Sequence, residues 1–273
     1  MTIPRLLMCA PGHFTVDYEI NPWMAGRRGS VDRSGAQAQW SALHAQLREL
    51  AQVALIEPQP GLPDMVFTAN AGLVLGRRAV PSRFRHGERA GEAPHFTRWF
   101  AGHGFEVSTL EVAFEGAGDA LLDRAEPWLW LGHGYRTDAR AAPALQAILP
   151  DVELVPLRLA DPRFYHLDTC LCPLPGGHLL YHPPAFDADA NAVIRARVPA
   201  ARRIEVAAGD AAAFACNAVA IGDVVVLHRA GDALRRRLAG CGYETRATPL
   251  DEFIKAGGAA KCLTLRLDEP VPG

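Results

Sequence analysis

The chain lacks any long hydrophobic run: no apolar stretch in its 273 residues reaches the roughly 18 that a membrane-spanning helix requires. It has little net charge, −2 from 28 basic and 30 acidic side chains. Neither nucleic acid nor an anionic membrane is therefore expected as a partner. Cysteine is sparse, and six in a chain this long do not make a disulfide scaffold. The first ten residues carry the apolar run Leu6-Leu7-Met8 but no signal-peptide core or cleavage site. Reduced thiols in a cytoplasmic protein are the expectation, with Cys9, Cys216 and Cys241 buried. Cys170 and Cys172 stand one residue apart, but no second Cys/His pair sits at zinc-ligand spacing. Gly116 and Gly118 lack the spacing of a dinucleotide fingerprint. No metal and no cofactor are expected.

Apolar mass is present, at 49% of residues, while charged residues make up 21%, which excludes global disorder. The length allows one large α/β or propeller-like domain, and a single catalytic domain over 1–273 is expected.

The most informative feature is a period. A polar residue closes a run of small or aromatic residues just before an apolar strand at Asn70, Asp119, Asp168, Asn217 and Cys262, spaced 49, 49, 49 and 45 residues apart. Periods of this size mark repeat architectures. Each unit continues through a Gly-containing turn (Gly76-Arg77-Arg78, Gly176-Gly177, Gly222-Asp223) into a second strand, a helical stretch and a returning strand. Helices are expected at 96–102, 187–198 and 231–238. The first begins at Ser34 as N-cap, with Trp40, Leu43, Leu47 and Leu50 on one face. Returning strands are expected at 54–56, 105–109, 152–157, 203–206 and 243–248. Five ββαβ units predict a closed ring, with the recurring polar residues meeting at one mouth.

Those positions, with Glu115 and His166, offer a thiol, an imidazole and several carboxylates. His166 and Asp168, two apart on a strand, are expected to share a face. The mix suits a planar cationic electrophile. A guanidinium needs carboxylates or amides in its plane to accept its N–H donors. Its carbon is a poor electrophile, so a thiolate helps, provided a nearby cation lowers the thiol pKa. A histidine can protonate the leaving amine and later deprotonate water, and a carboxylate behind it fixes its tautomer.

At these residues the chain resembles the guanidino-group-modifying superfamily, which includes arginine deiminase, dimethylarginine dimethylaminohydrolase, amidinotransferases and the arginine dihydrolases. The resemblance covers nearly the whole chain. It rests on Ile20-Asn21-Pro22-Trp23-Met24, Val66-Phe67-Thr68-Ala69-Asn70, Phe114-Glu115-Gly116-Ala117-Gly118-Asp119, Gly134-Tyr135-Arg136-Thr137, His166-Leu167-Asp168-Thr169 and Gly257-Gly258-Ala259-Ala260-Lys261-Cys262-Leu263-Thr264.

It implies the pentein fold, a five-bladed α/β propeller of five ββαβ repeats with pseudo-fivefold symmetry. It also implies a metal-independent hydrolase working through a covalent cysteine adduct. Cys262 is implied as nucleophile, His166 as general acid and base, and Glu115 as the carboxylate supporting it. Asp168 is implied to bind the guanidinium, with Asn70, Asp119 and Asn21 as further substrate contacts. Arg136 is implied to grip the substrate carboxylate, with Arg89 as a second candidate in competition with Arg83 and Arg85. His13 and Asp17 are read as part of a flap over the site.

Deiminases and amidinotransferases carry an aspartate where this chain has Asn70, so the chain looks most similar to the arginine dihydrolases, which yield ornithine, ammonia and carbon dioxide. Citrulline production from dimethylarginine, amidino transfer, and a non-catalytic macromolecule-binding role stand as alternatives. The partner expected is a small molecule, arginine or a methylated arginine, with self-association into a homo-oligomer left open.

Overall fold

The structure, a computed structural model, describes residues 3–270. Its strands form five three-stranded sheets, and four of these follow one layout in chain order. An inner strand turns back antiparallel into a middle strand. A helix then crosses over, and an outer strand returns parallel to the middle one.

The first such unit runs Gly72–Leu75, Arg78–Pro81, helix Ala93–Gly102, Glu106–Val107. The second runs Ala120–Leu122, Trp128–His133, helix Ala141–Ile148, Glu153–Arg158. The third runs Leu171–Leu174, His178–Tyr181, helix Ala188–Arg197, Arg203–Glu205. The fourth runs Val219–Ile221, Val224–Leu227, helix Asp232–Gly240, Glu244–Ala247. A parallel pair needs such a crossover, because a two-residue turn joins only antiparallel neighbours.

The fifth sheet is built from both ends of the chain. Leu265–Arg266 pairs antiparallel with Arg5–Cys9, in the register Leu6 to Arg266 and Leu7 to Leu265. Arg5–Cys9 then runs parallel to Gln52–Ile56, which follows helix Arg33–Leu50. The Leu6-Leu7-Met8 run is thus a middle strand, buried in the core. Each inner strand contributes to the wall of one cavity: Leu73, Leu121, Cys172, Ala220 and Leu265 come from the five different sheets.

Local chemistry explains most elements. The turns at Gly76 and Gly222 need left-handed backbone, with φ 57° and 58°, which glycine adopts without cost. Helix Arg33–Leu50 buries Trp40, Leu43 and Leu47, each worth about 1.5–3 kcal/mol of burial. Leu50, at its end, is only half-buried.

Several expectations change. Asp32, not Ser34, caps the first helix. Its extended backbone lets the carboxylate accept from the Ser34 amide at 3.0 Å, and the Ser34 hydroxyl donates to the same oxygen. The helical stretch of the second unit, whose bounds the sequence leaves open, is Ala141–Ile148; its Pro143 sits in the first turn, where no N–H is needed. The returning strand expected over 105–109 is reduced to Glu106–Val107. Cys241 is half-buried rather than buried, while the other five cysteines are buried, and all six are free thiols. Among the described residues no helix is long and apolar enough to cross a membrane.

Candidate active site

The chain enters three of the inner strands through a single 3-10 turn, at Thr68–Ala71, Gly116–Gly118 and Leu167–Thr169. His166 and Asp168 therefore do not share a strand face: His166 is extended, and Asp168 lies inside the turn. A different device sets their geometry. Asp119 Oδ1 accepts from the Leu167 amide at 3.0 Å, and its Oδ2 accepts from the Thr137 hydroxyl at 2.7 Å. Both oxygens are engaged within the protein, so Asp119 holds the turn between His166 and Asp168 rather than facing a substrate.

Cys262 Sγ lies 3.4 and 3.5 Å from the two Asp168 carboxylate oxygens. His166 Nε2 is 2.7 Å from Glu115 Oε2, which also accepts from Arg136 Nη1 at 3.1 Å. Glu115 Oε1 accepts from the Arg85 amide at 3.1 Å. All four side chains are buried, with Cys262 2% exposed and Asp168 fully enclosed. His166 Nδ1 is buried and has no partner.

Burial alone would raise the Glu115 pKa. Arg136 and His166 outweigh it and hold the carboxyl well below its usual range. Burial lowers His166 to about 4 against the pull of Glu115. The imidazole is thus neutral at neutral pH. Its Nε2 proton is donated to Glu115, and Nδ1 is left as a lone-pair acceptor. Burial pushes Asp168 up to about 6, with the Lys261 ammonium opposing.

Burial, and then the Asp168 charge, pushes the Cys262 thiol well above its usual value. The expected thiol-lowering cation is not what faces the sulfur; an acid faces it instead. In the free protein Cys262 is a thiol that donates to Asp168.

Asn70 closes another side of the cluster. Its Nδ2 donates to the Glu115 carbonyl at 3.2 Å, and its Oδ1 accepts from Arg89 Nη1 at 2.9 Å. Gly118 makes this possible, because a Cβ there would stand 2.3 Å from Asn70 Nδ2 and 3.4 Å from the His166 ring.

Arg89 is buried, and each of its three nitrogens donates within the protein. Nε and Nη2 grip Glu92 at 2.8 Å each, and Nη2 also reaches the Asp64 carbonyl. It orients Asn70 and is not open to a substrate carboxylate. Burial holds Glu92 up at about 7, with Arg89 opposing. Arg83 is exposed beside Glu111, and Arg85 Nε donates to the Arg136 carbonyl. Arg136 bonds Glu115 and the Ile20 carbonyl, and its guanidinium stacks 4.7 Å from the Tyr165 ring centre. Asp64 was missed in the sequence: it is a buried carboxylate whose Oδ1 has no partner. Its only signal is an acid inside the apolar Leu62–Phe67 stretch.

The segment around residues 14–31 reaches across this cluster. Asn21 Oδ1 caps the turn Pro22–Met24 by accepting from Trp23 N and Met24 N, and its Nδ2 donates to the Ala256 carbonyl at 3.0 Å. Its polar atoms are thus spent on fixing the segment. The Trp23 indole donates to the Arg163 carbonyl at 2.7 Å. His13 and Asp17 are exposed. Among the described residues no three His, Cys, Asp or Glu side chains gather as a metal site.

No family model matches the chain. It is 54% identical over 269 residues to the bifunctional arginine dihydrolase/ornithine cyclodeaminase ArgZ of Synechocystis sp., an alignment covering 98% of this chain and 38% of the relative. The chain thus spans well under half the length of that protein. It is 42% identical over 264 residues to the N(G),N(G)-dimethylarginine dimethylaminohydrolase of Mycobacterium tuberculosis, covering 96% of this chain and 85% of that protein. The crystal structure of the N-terminal domain of ArgZ bound to product, described as an arginine dihydrolase from the ornithine-ammonia cycle in Cyanobacteria, superposes with a TM-score of 0.98. It shows 53% identity and covers 100% of both chains.

Proposed function

Because the chain belongs to the guanidino-group-modifying enzyme superfamily, we propose that it hydrolyses the guanidinium of arginine through Cys262, giving ornithine, ammonia and carbon dioxide. The observation that carries this is the contact of the Cys262 sulfur with the Asp168 carboxylate, two residues along the chain from His166, whose buried Nδ1 has no partner.

The chemistry follows from the charges. A guanidinium seated on Asp168 neutralises the acid that holds the thiol up, and it places its own positive charge beside the sulfur. The thiol then gives its proton to His166 Nδ1, and the thiolate attacks the guanidinium carbon. His166 returns the proton to a leaving nitrogen, the C–N bond breaks, and ammonia departs, leaving an S-linked amidino adduct. A water deprotonated by His166 adds to the adduct carbon, and the second ammonia leaves while the C–S bond persists. A second water then breaks that bond, freeing the thiol and the carbamate of ornithine, which loses carbon dioxide. Two waters enter, and two ammonia molecules, one carbon dioxide and one ornithine leave, so the atoms balance.

Asn70 favours this outcome over a deiminase. Its amide is locked between Arg89 and the Glu115 carbonyl. An aspartate there would set a carboxylate oxygen against that carbonyl and add charge the site does not neutralise. Arg136 serves the substrate carboxylate in this reading, with Nη2 exchanging the Ile20 carbonyl for it. The five sheets are read as a five-bladed α/β propeller with pseudo-fivefold symmetry, one catalytic domain over 1–273 in a cytoplasmic setting.

Incubation with arginine and with methylated arginines, followed by mass analysis of products, tests the proposal. Ornithine from arginine is expected. Citrulline as the sole product from arginine overturns the dihydrolase assignment, and turnover of dimethylarginine alone moves the substrate to the methylated class.

A further inference from the structure

Asn217 occupies the fourth recurring position, and neither the motifs nor the mechanism above gives it a role. It is fully buried, and its carboxamide makes four hydrogen bonds, three to the Ala259–Cys262 loop and one to the Asp168 carbonyl. Its Oδ1 accepts from the Ala259 amide at 3.1 Å and from the Cys262 amide at 3.1 Å. Its Nδ2 donates to the Asp168 carbonyl at 3.0 Å and to Cys262 Sγ at 3.0 Å. The two backbone amides can only donate, so they identify the oxygen end of the carboxamide. The nitrogen end must therefore point at the sulfur.

We infer that Asn217 is a catalytic residue of the nucleophile: its side-chain N–H stabilises the Cys262 thiolate and holds the sulfur in line with the Asp168 subsite. The inference rests on Cys262 being the nucleophile.

The two neighbours of the sulfur do opposite things. Asp168 is an acceptor and faces the thiol proton in the free protein. Asn217 is a donor, and its bond survives when that proton leaves. A hydrogen bond to an ionised acceptor is shorter and roughly twice as strong as a neutral one. The Asn217 bond therefore strengthens as the sulfur becomes charged, and it favours the thiolate when the guanidinium arrives. The same carboxamide ties the Cys262 backbone to Asp168, so nucleophile and guanidinium anchor move as one unit. In the free protein burial and Asp168 outweigh the Asn217 bond and keep the thiol protonated, and the bond gains most when substrate neutralises the acid.

The test uses iodoacetamide, which needs no guanidino substrate, so its outcome is independent of what the enzyme hydrolyses. Alkylation of Cys262 is followed against pH in the unsubstituted protein, in Asn217→Asp and in Asn217→Ser, with far-UV circular dichroism and Tm confirming the fold. Asn217→Asp keeps an oxygen on both backbone amides and changes the end that faces the sulfur and the Asp168 carbonyl. The alkylation midpoint is expected to rise by about one pH unit or more in both variants, a tenfold or greater loss of thiolate at fixed pH. Turnover in Asn217→Asp should fall by more than KM rises. The loss should partly recover in acid, where the new carboxyl regains a proton to donate. In the unsubstituted protein the Asn217 side-chain amide resonances should shift as the Cys262 thiol titrates, which reads the same bond without any variant. An unchanged alkylation profile in a folded variant, or amide resonances that ignore the thiol titration, overturns the inference. Failure of arginine turnover alongside a shifted alkylation midpoint counts only against the proposed activity.

Discussion

Replacing Glu115 by glutamine keeps the shape of the side chain and removes its charge. In the native protein Oε2 accepts from His166 Nε2 at 2.7 Å and from Arg136 Nη1 at 3.1 Å, and Oε1 accepts from the Arg85 amide at 3.1 Å. A carboxamide has one acceptor end and one donor end. If its oxygen stays on the Arg85 amide, its NH2 faces two donors. If it turns, the NH2 meets the Arg85 N–H. Either way a buried donor is stranded and Arg136 loses its counter-ion. Removing one partner of a buried ion pair costs about 3–5 kcal/mol. Arg136 keeps the Ile20 carbonyl and the Tyr165 ring, which puts the expected loss near the lower end, about 3 kcal/mol. Turnover should suffer more. Without the carboxylate the imidazole no longer keeps its proton on Nε2, and the wrong tautomer in an acid–histidine pair costs roughly 10⁴-fold in kcat.

The pH dependence carries a sign. Glu115 is held below its ordinary value of 4.5 in the folded protein. Its contribution to stability is fully present above that value and is lost as pH falls toward the depressed folded pKa. The stability gap between native protein and variant should therefore be widest at neutral pH and narrow in acid below 4.5. Urea unfolding followed by circular dichroism across pH, together with kcat, measures both. Equal stability at neutral pH, or a gap that stays constant into acid, refutes the reasoning.

Asp168→Asn should lower the thiol pKa of the free protein, because the Asp168 charge is the second cause, after burial, that raises it. Arginine turnover should meanwhile fall about ten- to a hundredfold with the loss of a charged guanidinium contact worth about 1.5–3 kcal/mol. An alkylation midpoint that stays put or rises contradicts this. The acid limb of kcat/KM should lie near pH 6, where Asp168 takes up its proton and loses the guanidinium, while His166, titrating near 4, remains neutral through that window. A limb near 4 with none near 6 shows that His166, not Asp168, limits binding. Gly118→Ala places a methyl 2.3 Å from Asn70 Nδ2 and against the His166 ring. It should cost about 1–3 kcal/mol of stability by overpacking, with turnover falling further than Tm implies; native kcat in the folded variant counts against Asn70 and His166 needing their present places.

The 49-residue period made the repeated unit legible before any coordinates: it predicted a strand pair, a helical stretch and a returning strand in each unit, and four of the five sheets follow that order. The fifth unit was the hard one. Its inner strand lies at Leu265–Arg266 and the rest at the other end of the chain, so no local pattern joins them. The 3-10 turns at the strand entrances were also hidden. They arise from tertiary bonds such as Leu167 N to Asp119, not from local propensity. Residue types pointed to groups able to do chemistry, and Glu115 lies within hydrogen-bond distance of His166. They did not foretell which groups would already be engaged. Arg89 and Asp119 looked free on paper, but Arg89 is tied to Glu92, Asn70 and the Asp64 carbonyl, and Asp119 to the Thr137 hydroxyl and the Leu167 amide. Asp64 was invisible for the converse reason: a single acid in an apolar stretch gains meaning only from what surrounds it.

The most direct test of Cys262 as the nucleophile is mass analysis of the protein quenched during turnover of arginine. A substrate-derived adduct confined to the peptide carrying Cys262 is expected. It should be absent from Cys262→Ser, which should fold normally and turn over no guanidino substrate. Turnover by Cys262→Ser near the native rate, or an adduct on another side chain, contradicts it.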